Sequence, residues 1–191
     1  LSAKGTVRVL NAEVDKMRGH KVVNYEKTEL PDYVVELLVM GVCSLFLKAG
    51  SVEKEEKLDI SYVTEGFRSL DTISEFSTEE ILSIGSDLLH GIYQSEKHCI
   101  FAEQFRIEEF CIFTDCGISQ TKMIFIPAEN NEAAEEKIAA LLEKLSERGT
   151  EEGAGYIEKA VSLLRGSRYG YKALMHRFEN LRREVYLCGV K

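Results

Sequence analysis

Residues 86–90 contain the side-chain types that serine hydrolases use. Ser86, Asp87 and His90 could supply a nucleophile, an orienting carboxylate and a base. The helical periodicity of residues 81–94, however, places all three opposite the apolar side of a helix. The predicted solvent-facing side consists of Ser83, Ser86, Asp87, His90 and Gln94. Because no Gly-x-Ser-x-Gly motif occurs in the chain either, we interpret these residues as helix surface.

A zinc site is the second chemistry that the residue types suggest. Its candidate ligands are His98, Cys99, Cys111 and Cys116. Zinc sites usually contain tight pairs such as Cys-x2-Cys, whereas Cys111 and Cys116 are expected on opposite faces of a strand. Cys111 shares a face with Phe113, which predicts packing. We therefore expect no metal site and no redox thiol, and we interpret most of the five cysteines as small, reduced hydrophobes.

Phosphate-binding loops are also absent from the sequence. It contains neither Gly-x-Gly-x2-Gly nor Gly-x4-Gly-Lys-Ser/Thr. Together with the lack of converging catalytic groups, this predicts a protein that is not an enzyme and carries no cofactor.

The composition indicates an ordinary globular protein and limits its partners. The chain has 191 residues and a net charge of −8, which argues against nucleic-acid binding. No apolar run approaches the roughly 18 residues of a membrane span, since Tyr33–Phe46 is interrupted by Glu36, Gly41 and Ser44. We expect a cytoplasmic protein with a protein partner; the oligomeric state stays open.

The charge is distributed unevenly along the chain. Residues 165–191 carry a net charge of +5, and the other residues carry −13. One interpretation is a solvated helix face whose basic residues lie near a helix C-terminus. The alternative is a face aimed at an acidic partner or lipid headgroups, on the cytoplasmic side of a membrane tether in the full-length protein.

The first third of the chain is predicted to be β-rich with one helix. Thr6–Leu10 and Lys21–Tyr25 are short β-branched runs typical of strands. Pro31 favours a helix from Asp32 to about Met40, ended by Gly41. A hairpin is expected next, and its two strands and its turn are Ser44–Lys48, Lys57–Val63 and Ala49–Ser51.

The remainder is predicted to be mainly helical. Ser77 and Glu80 form a capping box at the start of a long helix. A second hairpin follows, made of Phe105–Phe113, a turn at Thr114–Gly117 and Lys122–Ile126. The chain closes with three amphipathic helices, which carry Ala134–Leu145, Glu151–Leu164 and Leu174–Val185. The expected fold class is α+β, with residues 1–66 as a β-rich lobe and residues 67–191 as a helical lobe of one compact unit.

This order of elements resembles a protein kinase from its regulatory helix onward. The resemblance implies a bilobal, pseudokinase-like fold, with a small antiparallel lobe followed by a mainly helical one. Glu36 would lie in the regulatory helix, residues 64–67 would form the hinge, and residues 103–113 would form the catalytic loop and the next strand. The other correspondences are Ser44–Lys48 and Lys57–Val63 as the next two strands and residues 69–76 and 77–98 as the first large-lobe helices.

Carried over residue by residue, the kinase chemistry is missing. Glu103-Gln104-Phe105 stands where a kinase has His-Arg-Asp, so Phe105 replaces the catalytic base. Phe110 stands at the metal-binding asparagine, and Ile126 falls near the magnesium-binding aspartate. Because kinase catalysis consists mostly of phosphate positioning and charge neutralisation, these replacements remove it. Asp115-Cys116-Gly117 echoes Asp-Phe-Gly but comes one strand too early, and we interpret it as a turn.

Short segments spread over residues 22–185 carry a further resemblance, namely Val23-Asn24-Tyr25, Leu58-Asp59-Ile60-Ser61, Phe105-Arg106-Ile107, Ile112-Phe113, Phe125-Ile126-Pro127 and residues 168–174. On these segments the chain resembles an uncharacterised bacterial domain found ahead of forkhead-associated (FHA) domains in Firmicutes proteins. The layout is similar, too, to the pseudokinase-like cytoplasmic domain of the EssB/YukC subunits of type VII secretion systems. These resemblances imply a cytoplasmic or membrane-tethered module that acts in signalling or secretion.

Two functions follow from these observations. The first is a non-catalytic interaction or scaffolding domain that presents a surface to a protein partner. The alternative is a pseudokinase that binds a nucleotide as a structural or regulatory ligand. In that alternative, Lys48 is the phosphate partner, although it lies away from the usual position of the kinase lysine.

Overall fold

The computed structural model describes residues 19–166 and 170–189. These residues form an α+β fold with two small antiparallel sheets and five helices, so the predicted fold class is confirmed at this level. The strand expected at Thr6–Leu10 lies outside the described residues. The elements are β1 (His20–Glu26), α1 (Asp32–Met40), β2 (Ala49–Lys54), β3 (Lys57–Val63), β4 (Phe67–Ser69), α2 (Thr78–Glu96), β5 (Ile112–Asp115), β6 (Thr121–Met123), α3 (Ala134–Ser146), α4 (Ala154–Gly166) and α5 (Tyr171–Cys188).

The first sheet has the strand order β1–β3–β2. Its alternation is regular, since Leu58, Ile60 and Tyr62 of β3 are all buried while the residues between them are half-buried. The register pairs Tyr25 with Leu58 and Val23 with Ile60, which puts Val23 and Tyr25 of β1 on the same face as these buried residues. Helix α1 packs beside this sheet and ends at Gly41, whose φ of 64° is left-handed, as predicted.

The predicted position of the first hairpin is wrong. Its first strand is Ala49–Lys54, and the turn is Glu55-Glu56. Ser44–Lys48 instead connects the two sheets. Leu47 N–H donates to the Met123 carbonyl at 2.8 Å and Met123 N–H donates to the Leu45 carbonyl at 2.8 Å, which is parallel pairing with β6. Sequence periodicity cannot indicate such a contact, because the two partners lie far apart in the chain.

Helix α2 is the central helix. The predicted capping box is present: Glu80 N–H donates to Ser77 Oγ at 3.2 Å, and Ser77 N–H donates to Glu80 Oε2 at 2.7 Å. A methyl group at Gly85 would lie 2.8 Å from the ring of Phe178, so this glycine allows α5 to pack closely against α2. Ser83, which the helical periodicity places on the solvent side, is buried instead.

The second hairpin is shorter than predicted. Residues 105–111 form mostly irregular structure and a single helical turn, and β5 begins only at Ile112. Arg106 N–H donates to the Ile126 carbonyl at 2.8 Å. This hydrogen bond joins the segment before β5 to the segment after β6. The second sheet has the order β4–β5–β6, and the sequence analysis did not predict β4. The three closing helices α3, α4 and α5 match the prediction.

The predicted boundary between residues 66 and 67 falls in the turn before β4. Whether the two parts are separate lobes stays a prediction. None of the described helices is both long and apolar enough to cross a bilayer.

Candidate functional site

Three phenylalanine rings fill the space between the first sheet and the segment that follows α2. Phe46, Phe105 and Phe125 pack with ring centroids 5.4 to 5.8 Å apart. All three are buried, and Phe105 is fully so. These distances are those of favourable edge-on and tilted aromatic pairs. Phe105 is therefore a core residue, at the place where a kinase-like layout would need its catalytic base.

Two tyrosines close this space from the side of the sheet. Tyr25 Oη donates to the Phe125 carbonyl and lies 3.2 Å from Tyr62 Oη. Phe125 N–H in turn donates to Tyr62 Oη at 3.3 Å. Burial raises the pKa of both hydroxyls above the ordinary tyrosine value. We call Tyr25, Phe46, Tyr62, Phe105 and Phe125 the aromatic junction, in which aromatic side chains and satisfied hydroxyls occupy the interior.

Lys137 of α3 holds the backbone below Phe105. Its ammonium group donates to the carbonyls of Ala102 and Phe105 at 2.9 and 3.0 Å. Burial lowers the pKa of Lys137, while Glu103 and Glu132 act in the opposite direction. The backbone of residues 102–105 is thus held by a buried cation. The sequence analysis missed this role, because Lys137 looks like one more charge on an amphipathic helix.

Lys21 is the cation of β1 that points toward the second sheet, and the sequence analysis missed it as well. Its Nζ donates to the Phe110 carbonyl at 3.0 Å and lies 5.2 Å from the centroid of the Phe113 ring. Burial lowers its pKa. The available signal was its spacing, since Lys21, Val23 and Tyr25 are two residues apart and therefore share one face of β1. Phe110, which the kinase resemblance puts at the metal-binding asparagine, is half-buried, and its carbonyl binds this lysine.

Three further residues that the kinase resemblance singles out are Ile126, Asp115 and Lys48. Ile126 is buried, and its carbonyl accepts from Arg106. Asp115 closes the β5–β6 loop, where its Oδ1 accepts from Ser119 N–H at 2.7 Å and its Oδ2 accepts from Ser119 Oγ at 2.6 Å. Those hydrogen bonds lower the pKa of Asp115. Lys48 is exposed, and its side chain contacts none of the aromatic-junction residues through a hydrogen bond or ring contact.

The buried carboxylate of Glu109 connects the C-terminal end of α3 to the segment before β5. Glu109 forms ion pairs with Arg148 and with Lys144, the latter at 2.6 Å. Arg148 also donates to the Leu70 carbonyl at 3.2 Å and to the Ile73 carbonyl. This group had no signal in the sequence, because its members come from three separate segments.

The hydrolase-like residues do not converge. Asp87 is half-buried and accepts from Thr121 N–H at 2.9 Å, so our placement of this residue in solvent is wrong. Burial raises its pKa. His90 is exposed. Among the described residues, no group of three or more His, Cys, Asp or Glu side chains is arranged to hold a metal ion.

The cysteines divide into two groups. Cys43 and Cys111 are buried, and burial raises the pKa of Cys111 to about 12. Cys99, Cys116 and Cys188 are exposed, so the interpretation of most of the five cysteines as small hydrophobes is wrong. Packing of Cys111, inferred from its shared face with Phe113, is confirmed.

The described residues also form an open groove of about 570 Å³ between α1 and β2. Helix α1 contributes one stripe to it, which consists of Asp32, Val35, Glu36, Val39 and Met40. Leu30 and Leu58 form the buried part of the lining. Val39 and Met40 are 44% and 68% exposed, although both are apolar. We call this feature the α1–β2 groove. In contrast to the aromatic junction, it leaves apolar side chains uncovered.

Comparison with solved structures shows that the fold has relatives. The chain is similar to a cytoplasmic fragment of EssB from Geobacillus thermodenitrificans, with a TM-score of 0.53 and 12% identity over 88% of this chain and 87% of that one. An EssB cytoplasmic fragment from Staphylococcus aureus matches with a TM-score of 0.36 and 13% identity over 81% of each chain. No protein family model and no curated protein sequence matches the chain. The EssB-like layout predicted from the sequence is therefore confirmed as a fold, while the FHA association stays a prediction.

Proposed function

We propose that this protein is a non-catalytic interaction and scaffolding module of a bacterial signalling or secretion assembly. The observation that carries the proposal is the aromatic junction. A domain that processes or stores a nucleotide needs a cavity with polar groups for the phosphates. Here the corresponding space contains Phe46, Phe105 and Phe125, packed against two tyrosine hydroxyls that are already bound to backbone.

The likeness to the EssB fragment supports the part of the proposal that concerns secretion. That fragment is cytoplasmic by its description, and the likeness extends over most of both chains. We extend the correspondence to a degenerate, bilobal kinase layout. In that layout α1 is the regulatory helix, the sheet of β1, β3 and β2 is the small lobe, and the helices from α2 onward form the large lobe.

Under this layout the positions of Glu36 and Lys21 explain how the small lobe is held without a nucleotide. An active kinase joins a lysine of its small lobe to a glutamate of the regulatory helix. Glu36 instead lines the α1–β2 groove, and Lys21 binds the Phe110 carbonyl. The contacts of Lys21 with the Phe110 carbonyl and the Phe113 ring join the sheet directly to residues 110–113.

Nucleotide binding as a structural or regulatory ligand is the alternative function. It depends on Lys48, whose side chain is exposed, whereas the rings of the aromatic junction are buried. No described feature favours this alternative over the interaction module.

A thermal-shift titration with Mg-ATP separates the two functions. We expect the melting temperature to stay constant within about 1 °C up to millimolar nucleotide, because a ligand raises stability only when it binds the native state. The Lys48→Ala variant is the matched control. A saturable rise in melting temperature that disappears in Lys48→Ala would replace our proposal with the nucleotide-binding alternative.

The cellular placement that we propose is cytoplasmic, with a membrane tether in the full-length protein. The supporting feature is the basic charge of residues 165–191. Part of that charge is neutralised within the chain, since Arg165 forms an ion pair with Glu136 at 2.9 Å and another with Glu143. The gene sequence beyond Lys191 tests the tether. An apolar run of roughly 20 residues would support it, and a stop codon would remove it.

A further inference from the structure

We propose that the α1–β2 groove binds an extended segment of a partner protein, which adds a strand to the free edge of β2 and contains both apolar and basic side chains. This inference rests on the proposed interaction function and names its site. Three features of the described residues carry it, namely the outer stripe of α1, the edge of β2 and the charge of the groove.

Helix α1 has two apolar faces, and the first sheet covers only one of them. Val34 and Leu38 are buried in the core. Val35, Val39 and Met40 lie at helical spacing along the groove, and Val39 and Met40 are largely exposed. An ordinary surface helix has one apolar stripe, which faces its own core. The second stripe therefore indicates a surface that is covered in a complex.

The outer edge of β2 has backbone groups that are free to pair with another strand. Val63 N–H donates to the Lys48 carbonyl at 2.8 Å, in register with the pairing of β2 and β3. Because hydrogen-bonded and non-bonded pairs alternate in antiparallel strands, Gly50 and Val52 point their backbone groups toward β3. Ser51 and Glu53 therefore point theirs away from it. Within the part of the chain that the structure describes, no strand pairs with this outer edge.

Side chains of an added strand would reach the apolar stripe of α1. Ser51 and Glu53 pair with Ile60 and Leu58, so their side chains lie on the core face of the sheet. Both are small or polar, and they do not cover Val39 and Met40 on the facing helix. A strand beside β2 continues that face, and every second side chain of it would enter the groove.

The charge of the groove selects basic residues in that strand. Its lining contains the carboxylates of Asp32, Glu36 and Glu53. Only Glu53 has a described cationic partner, since Lys27 lies 3.1 Å from it. The two carboxylates of α1 remain without an ion pair among the described residues. Lysine or arginine on the groove-facing side of the strand would complement them.

The same charge disfavours a second copy of this chain as the occupant. Pairing two β2 edges would bring the acidic grooves of both copies together. Like charges across an interface cost free energy and suppress association. A cationic, extended partner segment avoids this repulsion and uses both the backbone edge and the apolar stripe.

Selection from random peptides tests the proposal while the partner is unidentified. Linear 12-residue peptides displayed on phage are selected on the 191-residue chain. We expect enriched sequences in which apolar and Lys or Arg residues are separated by an even number of positions, as one face of a strand requires. Enrichment at spacings of three and seven residues would indicate a helical ligand and overturn the proposal, as would no enrichment over an unrelated protein.

Variants then locate the binding site of a labelled synthetic consensus peptide. Met40→Lys and Ser51→Pro should each lower the affinity for the peptide by about tenfold or more in a fluorescence-polarisation titration. Ser51→Pro removes an outward N–H and leaves the bonds to β3 in place. Val42→Lys is the matched control, because Val42 is exposed but does not line the groove, and it should change affinity by less than about twofold.

Amide hydrogen exchange adds a readout that is specific for strand addition. The bound peptide should slow exchange at Ser51 and Glu53, whose N–H groups otherwise face outward. Peptides that bind with no protection there, and with no sensitivity to Met40→Lys and Ser51→Pro, would overturn this site. That result would leave the proposed function standing, since peptide binding persists. A dimer in sedimentation velocity that Ser51→Pro dissolves would assign the edge to self-association and also overturn the proposal.

Discussion

The aromatic junction and the α1–β2 groove are two regions that the molecule treats in opposite ways. The junction contains Phe105, which the sequence-based kinase resemblance puts at the catalytic base, and its bulky rings are packed with their polar neighbours hydrogen-bonded. The groove lies between α1 and the outer strand of the first sheet, where no side chain of the described residues covers Val39 and Met40. Position in a familiar layout is therefore a poor guide to binding, and the contents of each region are a better one.

The largest effect is expected from opening the aromatic junction. Phe105→Ala removes a fully buried ring that contacts Phe46 and Phe125, so it should lower the free energy of unfolding by about 3–5 kcal/mol. Urea denaturation measures this loss. Phe101→Ala is the matched control at a ring that is 46% exposed, and it should cost less than about 1 kcal/mol. Equal losses for both variants would show that the junction is not a packed core.

The ion pair beside the junction should give the next largest effect. Arg148→Ala leaves the Glu109 carboxylate buried with Lys144 as its remaining cation, and it removes the donor for two backbone carbonyls. We expect a loss of about 2 kcal/mol, below the usual range for buried pairs because Arg148 is partly exposed. Denaturation of Arg148→Ala, of Glu109→Gln and of the double variant measures the coupling between the two side chains. Additive losses in the double variant would contradict a direct pairing.

Alkaline pH should destabilise the aromatic junction but not the α1–β2 groove. Because the pKa of Tyr25 and Tyr62 is raised in the folded state, the native protein keeps protons that the unfolded chain loses above its tyrosine pKa of about 10. The stabilisation that these hydroxyls contribute is thus fully present below about pH 10. Above that pH it falls by about 1.4 kcal/mol per unit for each tyrosine.

Denaturation between about pH 9 and 11 measures this slope, and Tyr62→Phe should reduce it. Tyr33→Phe alters an exposed tyrosine and is the control. A slope that Tyr62→Phe leaves unchanged would contradict the assignment of the alkaline loss to the junction.

The smallest effect is expected in the groove. Met40→Ser replaces a side chain that is 68% exposed, so the free energy of unfolding should change by less than about 0.5 kcal/mol. The same denaturation series provides the measurement. A loss above about 1 kcal/mol would mean that Met40 belongs to the core of this chain, and the contrast between the two regions would disappear.

The elements that were predictable from the sequence are those with local signals. The capping box at Ser77, the apolar face of α2 and the left-handed end of α1 at Gly41 each depend on residues within a few positions. The first hairpin was misplaced because Ala49-Gly50-Ser51 looks like a turn but forms an exposed edge strand. Its real turn, Glu55-Glu56, has no glycine or asparagine, and neither residue has a positive φ.

The contents of the candidate regions required the structure. Phe105 could be recognised as a non-catalytic replacement, but its packing against Phe46 and Phe125 joins segments far apart in the chain. Lys137 and Lys21 likewise bind carbonyls of distant segments. The second apolar stripe of α1 can be read from the sequence as Val35, Val39 and Met40. Only the structure shows that Val39 and Met40 of this stripe are uncovered, while Val35 is half-buried against the core.

A residue-resolved titration with Mg-ATP tests the central claim most directly. Two-dimensional amide NMR spectra of the intact chain would be recorded up to millimolar nucleotide, with the amides of Phe46, Phe105 and Phe125 as the readout. Our account predicts no saturable shift at these positions, because packed side chains leave no space for a purine or its phosphates. A saturable shift confined to these amides would contradict it and establish the junction as a nucleotide site.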